Sequence, residues 1–63
     1  MFKELENKKI VLWTLKEGYR YSGILINAGN EFLLVNDVKV GNIYISSKDI
    51  LTLKEVSPWY LKT

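Results

Sequence analysis

The 63-residue sequence contains no cysteine and no histidine. Without cysteine the chain can form neither disulfide bonds nor thiolate metal sites. Without histidine it lacks the side chain that most often serves as a general base or metal ligand, so Ser46 and Ser47 have no base to activate them. Turn formation and solubility explain the single carboxylates in or beside turns, which are Glu17, Glu31, Asp37 and Asp49. We therefore expect a non-enzymatic protein with no catalytic residue, no bound metal and no cofactor.

Long apolar runs are also absent from the sequence. No segment approaches the roughly 18 consecutive apolar residues that a membrane-spanning helix needs. The N-terminal segment carries Glu4 and Glu6 where a secretory signal requires an apolar stretch. These features predict a soluble, cytoplasmic protein that does not use a membrane as a partner.

What the chain does contain is a large apolar supply for its length. Hydrophobic residues make up 48% of the sequence and include two Trp, four Tyr and two Phe. A domain of this size buries only about 60% of its unfolded surface, and it usually needs disulfides, a metal or oligomerisation for stability. Since cysteine and histidine are missing, self-association is the expected source of stability. We assign residues 1–63 to one domain, with a core at about 9–56 and an aromatic C-terminal tail at 57–63.

Short β-branched and aromatic runs alternate with turn residues, which is typical of strands joined by tight turns. The predicted strands span residues 9–15, 19–28, 31–36, 42–46 and 50–56. Short helical turns are expected at residues 2–8, at most one or two turns long, and at residues 47–49. Five strands in fewer than fifty residues predict an all-β fold that closes into a small barrel, because an open sheet would expose much apolar surface.

Glycines mark the turns and a bend. Gly18 is expected to adopt a positive φ in the first turn. Gly29 and Asn30 are expected to close the second hairpin, since both residues tolerate left-handed turn positions. Gly23 lies in the middle of the second predicted strand, which indicates a sharp bend or bulge there.

Two segments carry a resemblance to a known family. The stretch from Leu15 to Leu25 resembles the first motif of the Sm-like (LSm and Hfq) family, with Gly18 and Gly23 at the five-residue interval of that motif. The segment 43–50 is similar to the second Sm motif, in which an apolar strand and a tight turn precede the last strand. The resemblance covers roughly residues 9–56.

The resemblance implies a strongly bent, five-stranded, SH3-like barrel that assembles into a homo-oligomeric ring of five to eight subunits. In such rings the fourth strand of one subunit pairs with the fifth strand of the next. The short apolar fourth strand independently favours this pairing, because its unpaired edge would otherwise be a liability. The predicted interface residues are Ile43, Tyr44, Ile45, Leu51 and Leu53.

The resemblance also implies that single-stranded RNA binds where two loops, 29–31 and 47–49, line the pore. The sequence departs from the family pattern here: Gly29 stands at the usual Asp position, Leu33 at the Asn position, and Lys48 is the one basic residue near the Arg-Gly position. From the residues themselves, Tyr19 and Tyr21 with Lys16 and Arg20 form the best aromatic-basic cluster around a turn. The predicted RNA-binding residues are Gly29, Asn30, Glu31, Ser47, Lys48, Arg20 and Tyr21.

The charge balance favours only weak binding of RNA. Nine Lys and Arg against seven Asp and Glu give a net charge of +2, and the charges are scattered along the chain. Two alternatives remain open: a protein-interaction or structural module that uses a free strand edge and the aromatic tail, and a small DNA-binding barrel. Trp59, Tyr60 and Leu61 either pack on the barrel or ring, or contact a protein partner.

Overall fold

Five antiparallel strands form a single sheet in the computed structural model, which describes residues 2–56. The strands are β1 (Lys9–Thr14), β2 (Arg20–Ala28), β3 (Phe32–Asp37), β4 (Gly41–Ser46) and β5 (Ile50–Glu55). Two single 3₁₀ turns, Lys3–Leu5 and Ser47–Asp49, are the only helical elements in this part of the chain. The predicted all-β class is confirmed, and each predicted strand agrees with the observed one to within one residue at either end.

The strand order is β4-β3-β2-β1-β5, so that β4 and β5 form the two edges of the sheet. Every neighbouring pair is antiparallel. The register of the β1–β5 pair shifts between Trp13 and Thr14, and that of the β2–β3 pair shifts between Leu25 and Asn27. Such irregularities increase local twist and bend the strands that carry them.

The long strand β2 serves two partners in succession. Its first half, from Arg20 to Ile24, pairs with β1, and its second half, from Gly23 to Ala28, pairs with β3. Gly23 lies where the two pairings overlap, and a Cβ there would sit only 1.9 Å from the carbonyl oxygen of Asn36. A side chain therefore does not fit at this position. The glycine permits a close backbone approach, and the register shift follows three residues later.

The glycine predictions have different outcomes. Gly18 has a φ of +69°, as expected, and Gly41 has a φ of +84° at the start of β4. The prediction of left-handed positions at Gly29 and Asn30 is wrong, because neither residue has a positive φ. Residues 29–31 form a three-residue loop, in which the Gly29 N–H donates to the Phe32 carbonyl at 2.9 Å. Positive φ at both central positions is required in two-residue type I′ hairpin turns, whereas this loop has three residues.

The core consists of one cluster of buried side chains from the first four strands. These are Ile10, Leu12, Leu25, Ala28, Leu33, Val35 and Ile45. The N-terminal 3₁₀ turn packs Phe2 and Leu5 against this cluster, which explains why the turn forms at all. The Glu6 carboxylate holds the segment in place by accepting a hydrogen bond from the Ala28 N–H at 2.8 Å.

Asp37 is a buried carboxylate at the end of β3. Its Oδ2 accepts a hydrogen bond from the Ser22 N–H at 2.9 Å, and its Oδ1 accepts bonds from the Lys39 and Val40 N–H groups at 2.8 and 3.1 Å. These bonds fix the β3–β4 turn and attach it to β2. Asp37 is therefore a structural residue, consistent with its expected place in a turn.

Candidate functional site

The two loops that the resemblance assigns to RNA lie side by side. The Ser47 N–H donates to the Glu31 carbonyl at 2.9 Å. The Ser47 hydroxyl donates to the Asn30 carbonyl at 2.9 Å, with the Glu31 carbonyl at 3.2 Å. Because both donors come from one serine, the start of the Ser47–Asp49 turn is fixed against the loop 29–31. Segments 16 residues apart in sequence thus form one surface, which we call the loop pair (residues 29–31 and 47–49).

The loop pair presents little net charge. Lys48 and Glu31 are both exposed, and their side chains carry charges of opposite sign. The Asp49 carboxylate already has a hydrogen-bond partner within the protein, since its Oδ1 accepts a hydrogen bond from the backbone N–H of Lys16 at 3.0 Å. The Asp49 carbonyl also accepts a bond from the Leu15 N–H at 2.7 Å, which attaches the turn to the end of β1. Lys48 is therefore the one cationic side chain that the loop pair offers to a phosphate.

An exposed aromatic pair lies next to the loop pair. Phe32 is 53% exposed and Tyr44 is 73% exposed, and their rings meet edge to face with centroids 6.5 Å apart. Together with Ile26 they line a shallow depression of about 610 Å³ that reaches Gly29 and Asn30. Exposed aromatic faces of this kind are suited to stacking on an unpaired base.

Sequence reasoning missed Phe32 as a candidate binding residue. The signal that could have found it is its position at the first residue of β3, directly after the loop 29–31. Side chains alternate along a strand, so Phe32 and the fully buried Leu33 face opposite sides of the sheet. A run such as Phe-Leu-Leu-Val appears uniformly apolar, and only the burial of its neighbours shows which member is exposed.

The two remaining predicted RNA-binding residues differ in position: Tyr21 lines a depression together with Asp49 of the loop pair, whereas Arg20 lines a groove that contains no loop-pair residue. Arg20 and Tyr21 are consecutive residues of β2 and therefore face opposite sides of the sheet. Arg20 lines an outer groove with Trp13, whereas Tyr21 is half-buried and packs against the core. Of the predicted aromatic-basic cluster, Tyr19, Tyr21 and Lys16 do lie together, with the two tyrosine rings 6.2 Å apart, whereas the alternation of β2 places Arg20 on the other side of the sheet.

The five predicted interface residues divide into two groups. Tyr44 on β4 and Leu51 on β5 are exposed, at 73% and 61%. The other three belong to the protein's own core or pack against it, and these are Ile43, Ile45 and Leu53. An interface through the edges of β4 and β5 would consequently use their backbone groups and only two of the five side chains.

Neither a metal site nor a membrane span is found within residues 2–56. No group of three or more potential ligand side chains is close enough to hold a metal ion in the described part. No helix there is long and apolar enough to cross a membrane. The aromatic tail with Trp59, Tyr60 and Leu61 lies outside the described residues. No model of a known protein family matches the chain, and no curated protein matches it either.

Proposed function

We propose that the protein is a non-enzymatic, Sm-like ring protein that binds single-stranded RNA as a homo-oligomeric scaffold. The observation that carries the proposal is the joining of the loop pair by Ser47. The Sm resemblance assigns RNA contact to two loops that are distant in sequence. The N–H and hydroxyl groups of Ser47 fix these loops against each other by donating hydrogen bonds to the backbone carbonyls of Asn30 and Glu31.

The strand order supports assembly into a ring. The edges β4 and β5 are at opposite ends of the sheet, each with an exposed apolar side chain, Tyr44 or Leu51. Pairing β4 of one subunit with β5 of the next is a heterologous contact, which closes into a ring when the rotation between subunits permits. Such closure would pair both edges of every subunit and place identical loop pairs in a circle.

The proposed contact with RNA combines stacking with hydrogen bonding. Phe32 and Tyr44 supply ring faces for bases, and the Asn30 side chain supplies donors and acceptors for base edges. Lys48 supplies one positive charge per subunit. Since few phosphates are neutralised, the affinity per subunit is expected to be low. The logarithm of the binding constant is expected to fall with the logarithm of the salt concentration, with a slope of about −0.7 for each neutralised phosphate.

Fluorescence anisotropy with uridine-rich and adenine-rich oligonucleotides at low salt tests the binding claim. We expect saturable binding that Phe32→Ala weakens by about ten-fold, since loss of one stacking contact costs about 1–3 kcal/mol. Leu15→Ala is the matched control, because Leu15 is a similarly exposed apolar residue outside the loop pair. Absence of binding to either oligonucleotide at high protein concentration would contradict the proposal, as would equal losses in both variants.

A second candidate is a protein-interaction module, which the apolar surface of Ile26, Phe32 and Tyr44 favours. Exposed apolar surface that is grouped in one place is typical of protein contact sites. The salt dependence separates the two functions: RNA binding through Lys48 weakens with added salt, whereas an apolar protein contact is insensitive to it.

A further inference from the structure

A second depression, of about 280 Å³, lies between the β1–β2 turn and strand β4. Three tyrosines line it: Tyr19 and Tyr21 from β2 and its preceding turn, and Tyr44 from β4. The rings of Tyr19 and Tyr21 meet at 60° with centroids 6.2 Å apart, so they present differently oriented surfaces. The volume is close to the lower end of the range for small-ligand pockets, roughly 300 Å³. A small headgroup is therefore the size of ligand that fits.

Two carboxylates and one amine also line this depression, from Glu17, Asp49 and Lys16. The Glu17 carboxylate beside the Tyr19 hydroxyl raises the pKa of Tyr19 above its ordinary value. Asp49 is fixed by the Lys16 N–H. The lining thus carries two negative charges against one positive charge, which favours a cation and disfavours a phosphate.

We propose that this tyrosine-lined depression binds a trimethylammonium group. A quaternary ammonium has no N–H to donate, so hydrogen-bond acceptors do not select it, whereas aromatic faces attract its positive charge and its methyl groups. Three tyrosines with a net negative rim are the combination that recognises such an ion. The site is formed within one chain, and it shares Tyr44 with the proposed ring contact and with the proposed RNA surface.

The trimethylammonium chemistry has two natural sources, a choline group and a trimethylated lysine side chain. NMR titration of the ¹⁵N-labelled full-length protein with choline chloride tests the shared chemistry first. The neutral isostere 3,3-dimethylbutan-1-ol, in which carbon replaces the ammonium nitrogen, is the control. We expect choline to shift the amides around residues 16–21 and 44–49 with a dissociation constant on the order of 1 mM, and the isostere to bind at least several-fold more weakly. Equal shifts from both compounds, or none, would overturn the proposal.

Short peptides that contain one lysine, either unmodified or trimethylated, distinguish the sources. Tighter binding of the trimethylated peptide than of choline identifies a methylated protein partner within the proposal. Tighter binding of choline than of the trimethylated peptide identifies a choline headgroup. Equal binding of the modified and unmodified peptides would contradict recognition of the methylated ammonium.

Substitutions of residues that line the depression should change the affinity for choline in different directions. Tyr44→Ala should weaken choline binding about two- to five-fold, because it removes one aromatic face from an exposed position. Glu17→Gln should weaken it by a similar factor, whereas Glu31→Gln, outside this depression, should not change it. Lys16→Met should tighten it, since the competing positive charge is removed. Weaker binding of choline by Lys16→Met would contradict the charge argument and refute the proposal, and unchanged amide spectra outside the depression exclude unfolding as the cause.

Discussion

At the scale of single residues, Asp37 is a buried carboxylate that joins β2 to the β3–β4 turn. Its side chain is 6% exposed and accepts three backbone hydrogen bonds from β2 and the β3–β4 turn. Burial acts to raise the pKa of Asp37, but the N–H groups of Ser22, Lys39 and Val40 outweigh it and hold the pKa below its ordinary value. Glu6 has a lowered pKa as well, chiefly because it accepts a hydrogen bond from the Ala28 N–H.

Removal of the Asp37 charge should destabilise the protein. Asp37→Asn replaces one carboxylate oxygen by an NH₂ group that cannot accept a hydrogen bond, which leaves a backbone N–H without its partner. We expect a loss of about 2–3 kcal/mol in the free energy of unfolding, measured by urea denaturation followed by circular dichroism. Glu31→Gln, an exposed control, should change the value by less than about 0.5 kcal/mol. Equal stability of the two variants would contradict the structural role of Asp37.

The lowered pKa values also predict how stability depends on pH. A carboxyl group with a lower pKa in the folded state than in the unfolded state binds fewer protons when folded, so its stabilisation is complete above the unfolded value of about 4. That stabilisation is lost as the pH falls through the folded pKa of Asp37 and Glu6. Melting temperatures measured from pH 7 down to pH 2 should therefore drop below about pH 4, and less steeply in Asp37→Asn. An identical acid profile for that variant would show that Asp37 does not carry the dependence.

At the scale of secondary-structure elements, the two halves of β2 explain how one strand supports a strongly bent sheet. The bounds of the five strands were predictable from the sequence, because β-branched runs and turn glycines give strand positions to within one residue. The conformation of Gly29 and Asn30 was not, since it depends on the three-residue length of their loop and not on the residue types alone. The exposure of Phe32 and the half-burial of Tyr21 likewise depend on tertiary packing, which the apolar pattern alone does not specify.

Two glycine substitutions test the close backbone approach at Gly23, where the β1–β2 and β2–β3 pairings overlap. Gly23→Ala would place a Cβ 1.9 Å from the Asn36 carbonyl oxygen, a backbone atom that cannot move without breaking the β2–β3 pairing. We expect a loss of about 3 kcal/mol or more in the free energy of unfolding, or failure to fold. Gly29→Ala is the matched control, because its nearest atom is 3.2 Å away and its φ is not positive. Comparable urea midpoints for both variants would refute the close approach at Gly23.

A charge on an edge strand should disrupt assembly without disrupting the fold. Leu51 on β5 is 61% exposed, so Leu51→Lys is compatible with a folded subunit and places a charge at the proposed contact. We expect light scattering to show a smaller species than the unsubstituted protein, with an unchanged circular dichroism spectrum. Val38→Lys, at an exposed position of the β3–β4 turn and outside both edge strands, should leave the mass unchanged. An unaltered mass for Leu51→Lys would exclude β5 from the contact.

At the scale of the whole molecule, residues 2–56 form one sheet in which the edge strands β4 and β5 each have a single strand neighbour, and the chain has a net charge of only +2. Within the described residues, seven buried apolar side chains form one core cluster, while several large apolar residues remain on the surface. Burial of part of that surface between subunits would supply the stability that a 63-residue chain without cysteine lacks. Within residues 2–56 the exposed apolar surplus is therefore distributed over the β1–β2 and β3–β4 turns and over strands β2 to β5.

Native mass spectrometry, with and without an oligonucleotide, tests the proposed ring most directly. We expect a single dominant species of five to eight 7.3-kDa subunits, and a shift of that species by the mass of one bound uridine-rich oligonucleotide at low salt. Light scattering in solution should give the same subunit number over a wide range of protein concentrations, as closed symmetry requires. A 7.3-kDa monomer across that range would contradict the ring, and with it the circular arrangement of loop pairs proposed to bind RNA.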